Sequence, residues 1–191
     1  MGQTIRAFIA VEISSEVRRS AVELIDRLQS IPMDVKWVVP ENLHVTLKFL
    51  GDVELTETAR ICDAMKRAVT DLDPFVLTLG GVGAFPNLSR PNTIWLGALD
   101  DDRPMVELHK NLEIRLQKLG FRREGRRFQT HLTIGRVRRA GPVAKNLGDR
   151  LRELADYEAG KTRVDQIVLF SSQLTSDGPI YQVLGRAKLG V

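Results

Sequence analysis

Cysteine is almost absent: Cys62 stands alone in 191 residues, so no internal disulfide is available and a reducing, cytoplasmic location is the expectation. Glycine is present 15 times but without period, which excludes a collagen-like chain. No stretch approaches the roughly 18 apolar residues that a membrane-spanning helix requires. The start, Met1-Gly2-Gln3-Thr4-Ile5-Arg6, enters an apolar strand pattern without a signal-peptide core. Position 6 is Arg rather than the Ser or Thr of a myristoylation site. Gly/Ser and Pro-rich linkers are missing too, so residues 1–191 read as a single domain. At 43% apolar and 27% charged, the composition excludes disorder and coiled coil and fits one ordinary globular core.

Acidic residues are scarce in one place only. Between Arg115 and Lys145 there are ten basic residues and a single acid, Glu124. That segment carries +9 while the whole chain carries +4, leaving −5 for the rest. Such asymmetry suits a polyanionic partner, the plain alternative being a solvated Arg-rich loop.

The elements alternate without a regular βαβ rhythm, which gives α+β. Strands are expected over Arg6–Glu12, Val35–Val39, Asn42–Leu50, Pro74–Leu79, Thr93–Leu99, Arg127–Val137, Val164–Leu174 and Ile180–Leu189. Helices are expected from an opening at Ser14-Ser15-Glu16 to about Gln29, and over about Leu55 to Thr70, Pro104 to Lys118 and Val143 to Ala155. Gly51-Asp52 should stop the third strand, and a loop through Gly81, Gly83, Pro86, Asn87 and Pro91 should precede Thr93. Ser176-Asp177-Gly178-Pro179 marks the last turn.

Histidine is rare, yet two of the three histidines sit in one repeated pattern. His44-Val45-Thr46-Leu47 and His131-Leu132-Thr133-Ile134 both read His, apolar, Thr, apolar, 87 residues apart. From composition, chance repetition is of order a few in ten thousand. One His beside one Thr on a half-buried strand is more often a satisfied polar pair than a catalyst; the repetition argues against that here. Strand alternation puts His44 with Thr46, and His131 with Thr133, on one face about 7 Å apart, with the apolar partners on the other. Two such strands suggest an approximate twofold around one cleft. Imidazoles titrate near neutrality, so one can act as acid while the other acts as base, and hydroxyls can donate to developing phosphate charge. This set suits in-line displacement at a phosphodiester. A zinc site is the competing use of histidine. It is poorly supplied, because only His109, expected on a solvated helix face, and Cys62 remain. No metal or cofactor is therefore expected. The two motifs are chemically equivalent, so the residues alone leave the acid and base roles open.

Asn42-Leu43-His44-Val45-Thr46-Leu47-Lys48-Phe49-Leu50-Gly51 and Phe128-Gln129-Thr130-His131-Leu132-Thr133-Ile134-Gly135-Arg136 resemble the two motif blocks of the 2H phosphoesterase superfamily. Within it, the chain is similar to the RNA 2',3'-cyclic phosphodiesterases, historically called 2'-5' RNA ligases. The likeness extends to Gly83-Ala84-Phe85-Pro86, Trp95-Leu96-Gly97 and Leu169-Phe170-Ser171-Ser172. It implies a bilobal α+β fold, two related antiparallel or mixed β-sheet lobes with outer helices and a central cleft. It implies hydrolysis of RNA 2',3'-cyclic phosphate ends to 2'-phosphates, with His44 as proton donor, His131 as proton acceptor, and Thr46 and Thr133 as hydrogen-bond donors to the phosphate oxygens. Arg136 carries over as a phosphate ligand. Strict alternation puts it opposite His131, and Gly135 is where a bulge could turn it inward. Lys48 shares a face with His44 and Thr46 by alternation, as a second substrate-binding candidate or a rim lysine. Phe8 and Trp37 are candidates for stacking on the terminal base. The expected partners are RNA or oligonucleotides ending in a 2',3'-cyclic phosphate, and cyclic nucleotides; the expected form is a monomer away from membranes. The competing readings are an RNA-end-binding module with a secondary or vestigial site, and a ligase running the displacement in reverse.

Overall fold

The computed structural model describes residues 2–30, 34–138, 144–176 and 178–190, and for 144–146 the backbone alone. Arg139, Val143 and Asp177, named above in the basic segment, the last helix and the last turn, lie outside the described residues, as does the side chain of Lys145. The elements are β1 (Thr4–Glu12), α1 (Ser15–Gln29), β2 (Val35–Trp37), β3 (His44–Glu54), α2 (Thr58–Val69), β4 (Phe75–Phe85), β5 (Thr93–Ala98), α3 (Arg103–Gln117), β6 (His131–Val137), α4 (Ala144–Glu153), β7 (Glu158–Val164), β8 (Gln166–Leu174) and β9 (Pro179–Lys188).

The strands form one antiparallel sheet in the order β7-β4-β5-β6-β3-β1-β8-β9, with β2 also on β6. Each half therefore begins at the centre with a His-bearing strand, β6 on one side and β3 on the other. The halves are joined through a single register pair, Val45 opposite Leu132. Past that pair β2 takes the free edge of β6, with Val35, Lys36 and Trp37 opposite Val137, Arg136 and Gly135. The two central strands thus meet at one place only, with His44 and His131 on either side of that pair.

Helices cover the sheet as their apolar stripes demand. In α1, Val17, Ala21, Leu24, Ile25 and Leu28 are buried, and the helix packs on β7. Its N-terminus is fixed by Ser14, whose hydroxyl accepts from the Val17 N–H and donates to the Lys161 carbonyl. Helix α2 packs on α3 and β9, and α4 on β4. Val45, Leu47, Leu132 and Ile134 are all buried beneath the cleft strands, in the same core as the helix stripes.

The structure departs from expectation at four places. Strand β4 runs on through Gly80, Gly81 and Gly83 to Phe85, so the preceding loop is shorter than the glycines suggest. A Cβ at Gly83 would strike the Trp95 ring, and one at Gly80 the Tyr157 carbonyl, so these glycines permit close packing inside a sheet. Strand β3 continues past Gly51-Asp52 to pair Glu54 with Thr4. Strand β7, on the sheet edge, carries only Ala159 and Val164 as buried apolar residues, too weak a pattern to read from sequence. In the opposite direction, residues 121–130 are irregular, and β6 starts only at His131.

Candidate active site

Both His-x-Thr strands alternate as their sequences dictate. Val45, Leu47, Leu132 and Ile134 point to the core, while His44, Thr46, His131 and Thr133 line one cleft of about 690 Å³. Extending the antiparallel register from Val45 and Leu132 sets each imidazole across from the other strand's threonine. The expected approximate twofold extends through the sheet, since β6 and β3 lie side by side at its centre and each is followed outward by three strands of its own half.

Each imidazole is clamped the same way. His44 Nδ1 lies 2.7 Å from the Asn42 carbonyl and His131 Nδ1 lies 2.8 Å from that of Gln129, both two residues upstream. A carbonyl oxygen only accepts, so both Nδ1 atoms carry protons and Nε2 is the nitrogen left for chemistry. His44 Nε2 is 3.0 Å from Thr46 Oγ1, whose hydroxyl donates to it when the ring is neutral. Burial pushes the His44 pKa down to about 4, against the raising effect of the Asn42 bond, with the charges of Arg136 and His131 lowering it further. His131 is lowered as well, first by burial and then by Arg136, with the Gln129 bond opposing. The crowding has a visible source. The ring of Phe8 lies 4.9 Å from that of His44, and Tyr181 meets His44 edge-on at 5.4 Å. Phe85 meets His131 edge-on at 5.0 Å.

A bulge follows each motif and breaks strict alternation. On β3 the register slips between Ile9 opposite Lys48 and Ala10 opposite Thr46, leaving Leu47 as the extra residue. On β6 it slips between Ile94 opposite Gly135 and Trp95 opposite Thr133, leaving Ile134. Beyond each bulge the phase is reversed. Arg136 consequently lines the cleft, as the bulge at Gly135 would allow. Lys48 goes the other way. It is 4% exposed, with Nζ 2.5 Å from Glu113 Oε1 and donating to the Arg122 carbonyl at 2.8 Å. It does not share the cleft face, because Leu47 occupies the extra place; Phe49 takes that face instead.

His109 also differs from expectation. It is buried at 8% exposure, stacked on Phe128 with ring centroids 4.2 Å apart, because α3 buries a second stripe of His109 and Glu113 beside its apolar one. Of the residues from 115 to 138, only His131, Thr133 and Arg136 line the cleft. The remaining arginines sit on exposed or half-buried backbone outside it. Phe8 forms the floor beneath His44 and Trp37 lines the wall. Sequence reading missed Phe49, Tyr181, Arg6 and Lys36 as cleft residues. Their only sequence signal is alternation, and for Phe49 the bulge hides it. Among the described residues no three His, Cys, Asp or Glu side chains gather as a metal site. Among the described residues no helix is long and apolar enough to cross a membrane.

The chain matches the family model described as LigT-like phosphoesterase twice, over residues 11–95 and 99–181. Each stretch contains one His-x-Thr strand. An RNA 2',3'-cyclic phosphodiesterase of Methanothermobacter thermautotrophicus is 38% identical over 178 residues, 93% of this chain and 95% of that protein. One from Archaeoglobus fulgidus is 36% identical over 94% of this chain and 97% of its own length. Among solved structures, TT0787 of Thermus thermophilus superposes with a TM-score of 0.79 at 26% identity, covering 97% of this chain and 98% of that one. Escherichia coli LigT complexed with 3'-AMP gives 0.78 at 22% identity, covering 99% and 100%, which shows a common fold.

Proposed function

The chain belongs to the LigT-like phosphoesterases, and from that premise we propose that it hydrolyses RNA 2',3'-cyclic phosphate ends to 2'-phosphomonoesters by two-histidine acid–base catalysis. The observation that carries the reading is the repeated clamp: two imidazoles, each held at Nδ1 by a carbonyl two residues upstream, present Nε2 to one cleft. In this reading neutral His131 takes a proton from water through Nε2 as the water oxygen bonds to phosphorus. The P–O3' bond breaks in line, and protonated His44 delivers the Nε2 proton to the departing O3'. Thr46, Thr133 and Arg136 hold the non-bridging oxygens. Lys48 has no part in this, since Glu113 and the Arg122 carbonyl hold it in the core.

The low His44 pKa bears on its role. In the free cleft His44 is neutral at pH 7, and a phosphodiester anion offsets the positive field of Arg136 and raises the imidazole. An acid of intrinsically low pKa transfers its proton readily once charged.

Names of the curated relatives support the substrate class, each being an RNA 2',3'-cyclic phosphodiesterase. Neither a binding-only module nor the joining reaction is favoured by them. The reading takes 2',3'-cyclic mononucleotides as minimal substrates and a cytoplasmic monomer as the working form. Incubation with an oligonucleotide ending in a 2',3'-cyclic phosphate, with and without chelator, tests it. A 2'-phosphate product in both is expected; no turnover overturns the reading, and a 3'-phosphate product overturns the orientation.

A further inference from the structure

Among the described residues five polar or charged side chains are buried: Lys48, His109, Glu113, Thr130 and Thr162. Four of them lie along one segment, the irregular 121–130 that leads from α3 to His131. A buried ion pair adds little stability over apolar residues packed in its place, so stability does not account for Lys48 and Glu113. Their placement does. Asp102, His109 and Glu113 are spaced by seven and four residues, which sets them along one face of α3 and its N-cap. The segment retraces that face in the reverse direction. The Glu124 N–H donates to Glu113 Oε2 at 2.9 Å, Phe128 stacks on His109, and the Thr130 hydroxyl donates to Asp102 Oδ2 at 3.0 Å. Lys48 reaches in from β3 and fastens the start of the segment, donating to the Arg122 carbonyl beside Glu113. Helix α3 packs on β3 and α2, in the half that carries His44, whereas the segment ends in β6. The Gln129 carbonyl that clamps His131 is therefore held in place from the other half.

We propose that Lys48 and Glu113 are positioning residues for His131. With His109 and Asp102 they hold segment 121–130 in register on α3, keep the Gln129 carbonyl on Nδ1, and so keep Nε2 aimed into the cleft. That His131 acts as the base rests on the phosphodiesterase reading above; that its ring is held this way does not. Lys48 and Glu113 do not line the cleft and act only through the segment. A slip of the segment takes the carbonyl off Nδ1. The ring proton is then free to move to Nε2, and the cleft loses its unprotonated nitrogen. His44 is indifferent to such a slip, because its clamp is the carbonyl of Asn42.

The test uses the double variant Lys48→Met with Glu113→Leu, which removes both buried charges together. Should it not fold, Thr130→Val, which frees the other end of the segment, takes its place. Imidazole nitrogen NMR reads the tautomers in the free protein, and kcat and KM are measured on adenosine 2',3'-cyclic phosphate. The variant should show an Nε2–H form of His131 beside the Nδ1–H form, with the His44 signals unchanged. Its kcat should fall about 10- to 100-fold with KM nearly unchanged, as a small misplacement of a reacting group dictates. In a His131→Ala background the same change should cost almost nothing further, because it acts through that imidazole. A wild-type His131 tautomer in the variant overturns the proposal, as does an undiminished loss of kcat in the His131→Ala background. If wild type shows no turnover, the phosphodiesterase reading falls alone, and the His131 tautomer still decides this proposal.

Discussion

Strands β3 and β6 carry the same motif, the same carbonyl clamp and the same bulge, and then diverge. After Thr46 and the bulge come a buried Lys48 and an exposed Phe49; after Thr133 come Gly135 and Arg136. Gly135 has no room for a Cβ, since one would lie 2.8 Å from the Trp37 ring. Lys48 instead spans to Glu113 on α3 and to the loop that leads into β6. His44 is enclosed by Phe8 and Tyr181, whereas His131 meets the aromatic pair Phe85 and Trp95 at their edges. A duplicated backbone clamps two imidazoles in the same way, and the residues just past each bulge make the halves differ.

The sharpest way to probe that equivalence is to remove each imidazole in turn. His44→Ala and His131→Ala should each lower kcat on a 2',3'-cyclic nucleotide by about 10²–10⁴-fold, with circular dichroism unchanged. If one variant retained wild-type kcat, the two-carrier mechanism would be wrong. The Lys48 difference predicts a stability effect. Lys48→Met leaves Glu113 buried without its cation and should cost about 3–5 kcal/mol in urea unfolding. Lys48→Met with Glu113→Leu should recover most of this, and a failure to recover would place the cost elsewhere. Thr46→Val and Thr133→Val should lower kcat about 10²–10³-fold if both hydroxyls serve the transition state. A loss confined to Thr46→Val would tie the effect to its bond with His44 Nε2.

The pH dependence gives the smallest effect. Both histidines have pKa values below 6.5 in the free cleft, so kcat/KM should peak on the acid side of pH 6.5. A cation disfavours imidazolium, so Arg136→Met raises both pKa values and should move the profile to higher pH by up to about one unit. A shift to lower pH would contradict the assignment of Arg136 as a neighbour of both rings.

Much of the site was legible because strand alternation is a local property. His44, Thr46, His131 and Thr133 needed only a period of two and a core on one side. Lys48 was misplaced by the same rule, since the rule holds only while the strand stays in phase, and the Leu47 bulge shifts that phase by one. At Gly135 the glycine itself hinted at a bulge, so Arg136 could be anticipated. His109 looked solvated because its sequence neighbours are polar; its burial comes from Phe128 and from Glu113 on the next turn. Strand β7 went unseen because an edge strand needs few apolar residues.

The sequence by itself determined the two chemical units, their place on strands and the α+β class, since hydrophobic periodicity and residue chemistry are written locally. Tertiary structure decided how the units differ. Pairing β3 with β1 and β6 with β5 is what creates the bulges, and the bulges send Lys48 into the core and Phe49 and Arg136 into the cleft. Those partners lie tens of residues away along the chain, so no window of sequence contains the register that sets which face each residue takes.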